Sequence, residues 1–285
     1  MIYSTRQITM WVALGLALAL AGCSSDDGSG TGGSGGSGGT GGSADTPLRI
    51  LVTNDDGFQA EGIDAVVEGL IADPNNEVIV CAPNSNRSSS SDMTGPSERC
   101  GNLDVTTDTT LSGYPATIID GCPADAVNYA LENLYTPEEQ PHVVISGINN
   151  VQNVSEPIVT GFSGTVGAAK TAARSGVPAL AASQGMPQPD GELDFPSGVE
   201  AVLKWLSENR AALAQGGITP SDVQNLNIPS CDGGSIRGTL VGIALAPTAA
   251  GFQDPQDCES TLENPVDDVE ALNNGFITQS SVPLN

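Results

Sequence analysis

The chain has 285 residues, with 34 acidic and 9 basic side chains, so its formal net charge is −25 at pH 7. Nucleic acid is a poor partner for such a surface, because phosphates and carboxylates repel each other. An acidic protein can still bind phosphate esters where its site holds a cation, whose own charge governs the local field.

Residues 1–23 have the pattern of a bacterial lipoprotein signal peptide. The apolar segment Trp11–Ala21 is shorter than a bilayer span, and Leu-Ala-Gly before Cys23 resembles a lipobox. Lipid on Cys23 would anchor the protein without a transmembrane helix. A plain signal peptide or an uncleaved anchor is the alternative. Because two serines follow Cys23, we expect an extracytoplasmic protein at the periplasmic side of the outer membrane, or at the cell surface, of a Gram-negative bacterium.

Residues 24–46 are mostly glycine, serine and threonine, the composition of a flexible linker. A phosphate-binding loop is disfavoured here, because no strand precedes the glycines and no lysine lies among them. We therefore predict that residues 47–285 form a single domain.

Predicted strands and helices alternate along this domain. The predicted strands are Ile50–Thr53, Glu77–Ala82, Leu103–Thr107, Ala116–Ile119, Val143–Ser146, Ala179–Ala182, Leu226–Ile228, Leu240–Ala246 and Phe276–Thr278. The predicted helices are Glu61–Ile71, Pro123–Leu134, Gly164–Ser175 and Gly198–Gln215. This order predicts an α/β fold: a Rossmann-like, doubly wound, mostly parallel sheet with helices on both faces and a small antiparallel excursion. No G-x-G-x-x-G follows the first strand, which disfavours dinucleotide binding.

Two adjacent carboxylates, Asp55 and Asp56, follow the first predicted strand. Ligands of open parallel sheets bind at the carboxyl ends of the strands, and oxygen ligands suit Mg²⁺ or Mn²⁺. The alternative is an ordinary Asp-Gly turn before the next helix.

Later loops bring further polar groups to the same edge of the predicted sheet. Ser88 lies in the polar loop 83–101 after the second strand, and Asn149 follows the strand that begins at Val143. Ser163–Thr165 open a helix whose free N–H groups form an anion site. Carboxylates, a hydroxyl, an amide oxygen and a helix N-terminus would converge there. This combination is typical of a metal and phosphate site.

Apart from Cys23, the cysteines and the single histidine are expected to be structural. Lipidation of the first cysteine leaves five, an odd number, so at least one stays free or pairs between chains. The candidate pairs are Cys231 with Cys258 and Cys100 with Cys122, while Cys81 lies in an apolar run and His142 precedes a strand. Ser-His-Asp and Cys-His catalysis therefore have almost no candidates.

The ordered motifs RILVTNDDG, APNSNRS, GCPADAV, VVISGIN, SGTVGAA and GVPALAAS cover about residues 48–183. Together they resemble the survival protein SurE family of nucleotidases and acid phosphatases. The resemblance implies a divalent-metal-dependent phosphomonoesterase that often acts on nucleoside monophosphates. The implied metal ligands are Asp55, Asp56, Ser88 and Asn149. The expected phosphate-binding residues are Asn54, Arg87, Ser163, Gly164 and Thr165.

The chain departs from the family pattern where the substrate pocket is expected. Asn84 replaces an aspartate, Cys122 replaces a threonine, and Asn150–Asn153 replace a glycine-rich loop. The region 246–267 is also short. Because the family tends to form an exchanged arm there, we expect a homodimer and not a larger assembly.

The expected mechanism is hydrolysis assisted by one divalent cation per site, Mg²⁺ or Mn²⁺. Asp55 and Asp56 are the expected catalytic residues, because they would hold the ion and one of them would accept a proton from the bound water. Small phosphate esters, nucleotides first, are the expected substrates, with no nucleic-acid partner and with membrane contact through Cys23. The alternatives are an acid phosphatase for other esters or polyphosphate, and a non-catalytic lipoprotein that binds a nucleotide or a metal.

Overall fold

The computed structural model describes residues 47–187, 191–216 and 218–285. The predicted signal peptide, the linker and Cys23 lie outside these residues and stay predictions. Within the described ranges, no helix combines the length and the apolar character that a membrane span requires.

Nine strands of the described chain form one mixed sheet. The strands are β1 Leu48–Thr53, β2 Asn76–Pro83, β3 Val105–Thr109, β4 Pro115–Ile119, β5 Val143–Asn149, β6 Ala179–Gln184, β7 Asp222–Ile228, β8 Thr239–Val241 and β9 Ile277–Pro283. Their order in the sheet is β3-β4-β2-β1-β5-β6-β7-β9-β8, and all neighbouring strands are parallel except for the pairs β3–β4 and β7–β9. The predicted fold class is confirmed.

Helices cover both faces of the sheet. They are α1 Glu61–Ile71, α2 Pro123–Asn133, α3 Glu156–Gly161, α4 Gly164–Arg174, α5 Phe195–Ala214 and α6 Asp268–Asn273. Successive side chains of a buried parallel strand point to opposite faces, so both faces of the sheet are apolar. In β1, Ile50 and Val52 pack with apolar residues of α1 and α5, while Leu51 packs with those of α2 and α4 on the other face.

The structure shortens two of the predicted strands and adds two short helices. The strand predicted at Leu240–Ala246 is only β8, because Gly242 has a φ of 73° and turns the chain away. The strand predicted at Leu103–Thr107 begins later, at Val105, because Leu103 has a φ of 65°. The helices α3 and α6 were not predicted, since each has six residues and is too short to show an apolar stripe.

The cysteine predictions are confirmed within the described residues. Cys100 bonds to Cys122, Cys231 bonds to Cys258, and Cys81 is buried and free. His142 Nδ1 accepts the backbone N–H of Arg49 at 2.9 Å, which is a structural contact.

Candidate metal and phosphate site

The carboxyl ends of β1 and β5 lie side by side, since Thr53 of β1 pairs with Ser146 of β5 in parallel register. The turn after β1 is closed by Asn54, whose Nδ2 donates to the carbonyl of Gly57 at 2.9 Å and whose Oδ1 accepts the N–H of Gly57 at 3.2 Å. Asn54 therefore shapes the turn that presents the two carboxylates. Its predicted role in phosphate binding stays a prediction.

Asp55 is 3% exposed and lies against the N-terminus of α4. The Thr165 hydroxyl donates to Asp55 Oδ1 at 2.7 Å, and the backbone N–H groups of Gly164 and Thr165 lower the pKa of the carboxyl. Burial is the larger effect, so the pKa is raised from its ordinary value. A Cβ on Gly164 would come within 2.8 Å of Asp55 Oδ2, so only glycine permits this approach.

Asp56 is held by two donors from neighbouring loops. Its Oδ1 accepts from Asn86 Nδ2 at 3.1 Å, and its Oδ2 accepts the N–H of Asn150 at 3.1 Å. Burial, and then the adjacent charge of Asp55, raise the pKa of Asp56 to about 7. Two neighbouring carboxylates that repel each other in this way form an environment that a cation stabilises.

Asn149 is 6% exposed, and its side-chain oxygen has no hydrogen-bond partner among the described residues. Its Nδ2 donates to the carbonyl of Val151 at 2.5 Å, which orients the amide, but its buried Oδ1 has no hydrogen-bond partner. A buried polar atom without a partner costs free energy, and a bound cation would remove that cost.

A cavity of about 330 Å³ brings four of the predicted site residues together: Asp55, Ser88, Asn149 and Ser163. Ser88 is exposed on a loop that is fixed by Asn86, whose Oδ1 accepts the Ser88 N–H at 2.9 Å. Carboxylate, amide and hydroxyl oxygens are the donors that Mg²⁺ and Mn²⁺ accept. The residues therefore fit the divalent cation that the sequence predicts.

The predicted phosphate-binding groups have other partners in this structure. Arg87 Nη2 donates to Asp120 at 2.6 Å and to Asn84 at 2.9 Å. Gly164 and Thr165 face the carboxylate of Asp55, while the Ser163 hydroxyl caps α4 by accepting the N–H of Val166 at 3.0 Å. Of these groups, Ser163 is the one that lines the cavity beside the predicted metal ligands.

Comparison with known proteins assigns the chain. The family model described as Survival protein SurE matches residues 50–248. The chain belongs to the SurE family.

Relatives of this SurE chain carry the name 5'-nucleotidase SurE. The relative from Chloroflexus aggregans is 36% identical over 194 residues, which cover 68% of this chain and 71% of that protein. The relative from Sorangium cellulosum is 32% identical over 213 residues, which cover 74% and 76%. The crystal structure of the SurE protein from Aquifex aeolicus has the same fold, with a TM-score of 0.63 and 24% identity over 83% of this chain and 94% of that chain.

A buried asparagine cluster, which the sequence analysis did not identify, lies beside the candidate metal site of this SurE chain. Asn153 Nδ2 donates to Ser183 Oγ at 2.8 Å and approaches Thr165 Oγ1 at 3.4 Å. Asn227 accepts the N–H of Asn153 at 2.7 Å, and both Asn225 and Asn227 donate to its carbonyl. The signal in the sequence was two asparagines at alternate positions of a buried strand, which share one face.

Two further residues that the sequence analysis did not identify, Gln152 and Asp268, hold the loop after Asn149. Gln152 donates to the carbonyl of Phe252 at 2.5 Å and accepts the N–H of Met186 at 2.7 Å. Asp268 accepts the N–H of Ser155 at 2.9 Å and that of Ala246 at 2.8 Å, and burial raises its pKa. Nothing local in the sequence marks these contacts, because their partners lie far apart along the chain.

Proposed function

We propose that this SurE family member, a phosphoric monoester hydrolase, removes phosphate from nucleoside monophosphates with a divalent cation bound at the carboxyl edge of its sheet. The observation that supports the proposal most strongly is the buried, unpartnered Oδ1 of Asn149, which lines one cavity with Asp55 and Ser88. The names of the curated relatives support a nucleotide as the substrate.

Different residues of the chain would have different roles in hydrolysis. Asp55, Asp56, Ser88 and Asn149 would hold the cation, which when bound supplies Lewis acidity and a water of lowered pKa. The Thr165 hydroxyl and the start of α4 fix the direction of the Asp55 carboxylate. One of the two carboxylates would accept the proton of the attacking water, and Ser163, which lines the same cavity, would contact the substrate phosphate.

Phosphate release from the purified full-length protein tests this proposal. The substrates are AMP, ribose 5-phosphate and a phosphodiester at equal concentration, each with Mg²⁺, Mn²⁺ or EDTA. We expect monoester hydrolysis that EDTA abolishes and that added metal restores, and slower diester cleavage, because a diester has no dianionic phosphate. Activity that resists EDTA, or diester cleavage at a matching rate, would overturn the proposal.

We also propose that lipid on Cys23 anchors this enzyme outside the cytoplasm, on the strength of the lipobox pattern alone. The variant Cys23→Ser should lose lipid labelling and leave the membrane fraction. Membrane association that persists in Cys23→Ser would contradict this proposal. The homodimer stays a prediction, which the mass of the purified protein in solution can check.

A further inference from the structure

The cavity that holds the predicted metal ligands has an apolar side. Phe162, at the end of α3, and Phe252, in the loop between β8 and α6, line this cavity together with Asp55 and Asn149. Ile158 adds a further apolar side chain. The cavity thus has an anionic, oxygen-rich part and an aromatic part.

Phe162 is not a core residue, because the residue is 55% exposed. Its backbone is nevertheless fixed: its N–H donates to the carbonyl of Ile158 at 3.1 Å, and its carbonyl accepts the N–H of Ser91 at 3.1 Å. An exposed phenylalanine on a fixed backbone, next to Ser163, offers an aromatic surface at the edge of the site. Burial of that surface by a ligand would be favourable.

Phe252 is held in place by residues that lie far from it in the chain. Its carbonyl accepts from Gln152, a buried residue of the loop that follows Asn149. Its ring packs partly against a small apolar cluster that includes Val154 and Leu272. The same loop therefore positions a metal ligand and an aromatic wall of the cavity.

We infer that Phe162 and Phe252 determine substrate specificity, because they contact the planar base of a nucleoside monophosphate whose phosphate lies at Asp55, Ser88 and Asn149. This inference rests on the proposed function and extends it. A ligand with a charged end and a flat apolar end matches the two parts of the cavity. The volume of about 330 Å³ lies within the usual range of small-molecule sites, about 300–1,000 Å³. Because every base has a π-face, stacking accepts purines and pyrimidines alike.

The test compares AMP with ribose 5-phosphate, which has the same sugar phosphate and no base. The measured quantity is the ratio of kcat/KM for AMP to kcat/KM for ribose 5-phosphate, in full-length protein with saturating Mn²⁺. We expect Phe162→Ala and Phe252→Ala each to lower this ratio about tenfold, which corresponds to about 1.4 kcal/mol. Phe162→Tyr should keep the ratio and Phe162→Leu should lower it, because stacking needs a ring.

Leu111→Ala is a matched control, since Leu111 is 57% exposed and lies in the turn between β3 and β4, away from the cavity lining. It should leave the ratio unchanged. Phe252→Leu keeps apolar packing and replaces Phe252→Ala if the latter does not fold. If the wild type hydrolyses both substrates and the phenylalanine variants keep its ratio, the inference is wrong and the proposed function stands. If the wild type hydrolyses neither substrate, the proposed function fails.

Discussion

Two regions of the molecule build the candidate site in different ways. The carboxylate side comes from the end of β1 and the start of α4, where Asp55, Asp56 and Gly164 belong to short contiguous motifs. The opposite side depends on contacts between residues far apart in the chain: 74 residues separate Asn153 from Asn227, 100 separate Gln152 from Phe252, and 113 separate Ser155 from Asp268. The comparison suggests that the first region supplies the chemistry and that the second fixes its geometry.

The largest expected effect comes from substitutions in the carboxylate side. Asp55→Asn and Asp56→Asn each remove a charged ligand, so activity and Mn²⁺ affinity should each fall at least about 100-fold. This loss is larger than that expected when a residue that only hydrogen-bonds to a metal ligand is removed. Kinetics and calorimetric Mn²⁺ titration measure both effects. Asp108→Asn, in the exposed strand β3, is the control and should change neither quantity. Full activity in both site variants would disprove the assignment of these ligands.

A smaller effect is expected from substitutions in the opposite side, which is built by contacts between residues far apart in the chain. Asn227→Ala removes the acceptor of the Asn153 N–H and one donor to its carbonyl, so we expect Mn²⁺ affinity to fall about tenfold. Ser230→Ala is the matched control, because Ser230 is equally buried and donates to Gly185 without contacting Asn153. Both variants should lower Tm. Equal Mn²⁺ affinities in the two variants would show that Asn227 is merely structural.

The smallest expected effect is a difference in Mn²⁺ affinity between variants that lack one or the other disulfide. Replacing either cysteine pair by alanine should cost about 3 kcal/mol of unfolding free energy, since both bonds close loops of similar length. Only Cys100 adjoins the Ser88 loop, through Arg99, which donates to the Ser88 carbonyl at 3.0 Å. Loss of Cys100–Cys122 should therefore weaken Mn²⁺ binding a few-fold, whereas loss of Cys231–Cys258 should not. Denaturant unfolding measures the loss of stability, and Mn²⁺ titration measures the difference in affinity. Weaker Mn²⁺ binding after loss of Cys231–Cys258 than after loss of Cys100–Cys122 would refute this assignment.

The sequence predicted most of the first region and little of the second, for physical reasons. The position of Asp55 and Asp56 at the carboxyl edge of the sheet was predictable, because alternating strands and helices place the strand ends at one edge. Residues within a short motif also keep their spacing. Asn54, Arg87 and Thr165 hydrogen-bond to neighbouring protein groups, which orient their side chains, and their role as phosphate ligands stays a prediction. Phe252 and Asp268 gave no signal, because their roles depend on which distant loop the chain packs against.

Diffraction from crystals of the full-length protein soaked in Mn²⁺, recorded where manganese scatters anomalously, tests the central claim most directly. The account predicts one strong anomalous peak per chain, within coordination distance of oxygens from Asp55, Asp56, Ser88 and Asn149. The Asn149 amide should direct Oδ1 toward that peak. Manganese bound elsewhere with this edge empty, or an Asn149 Oδ1 that points away from the metal, would contradict the account.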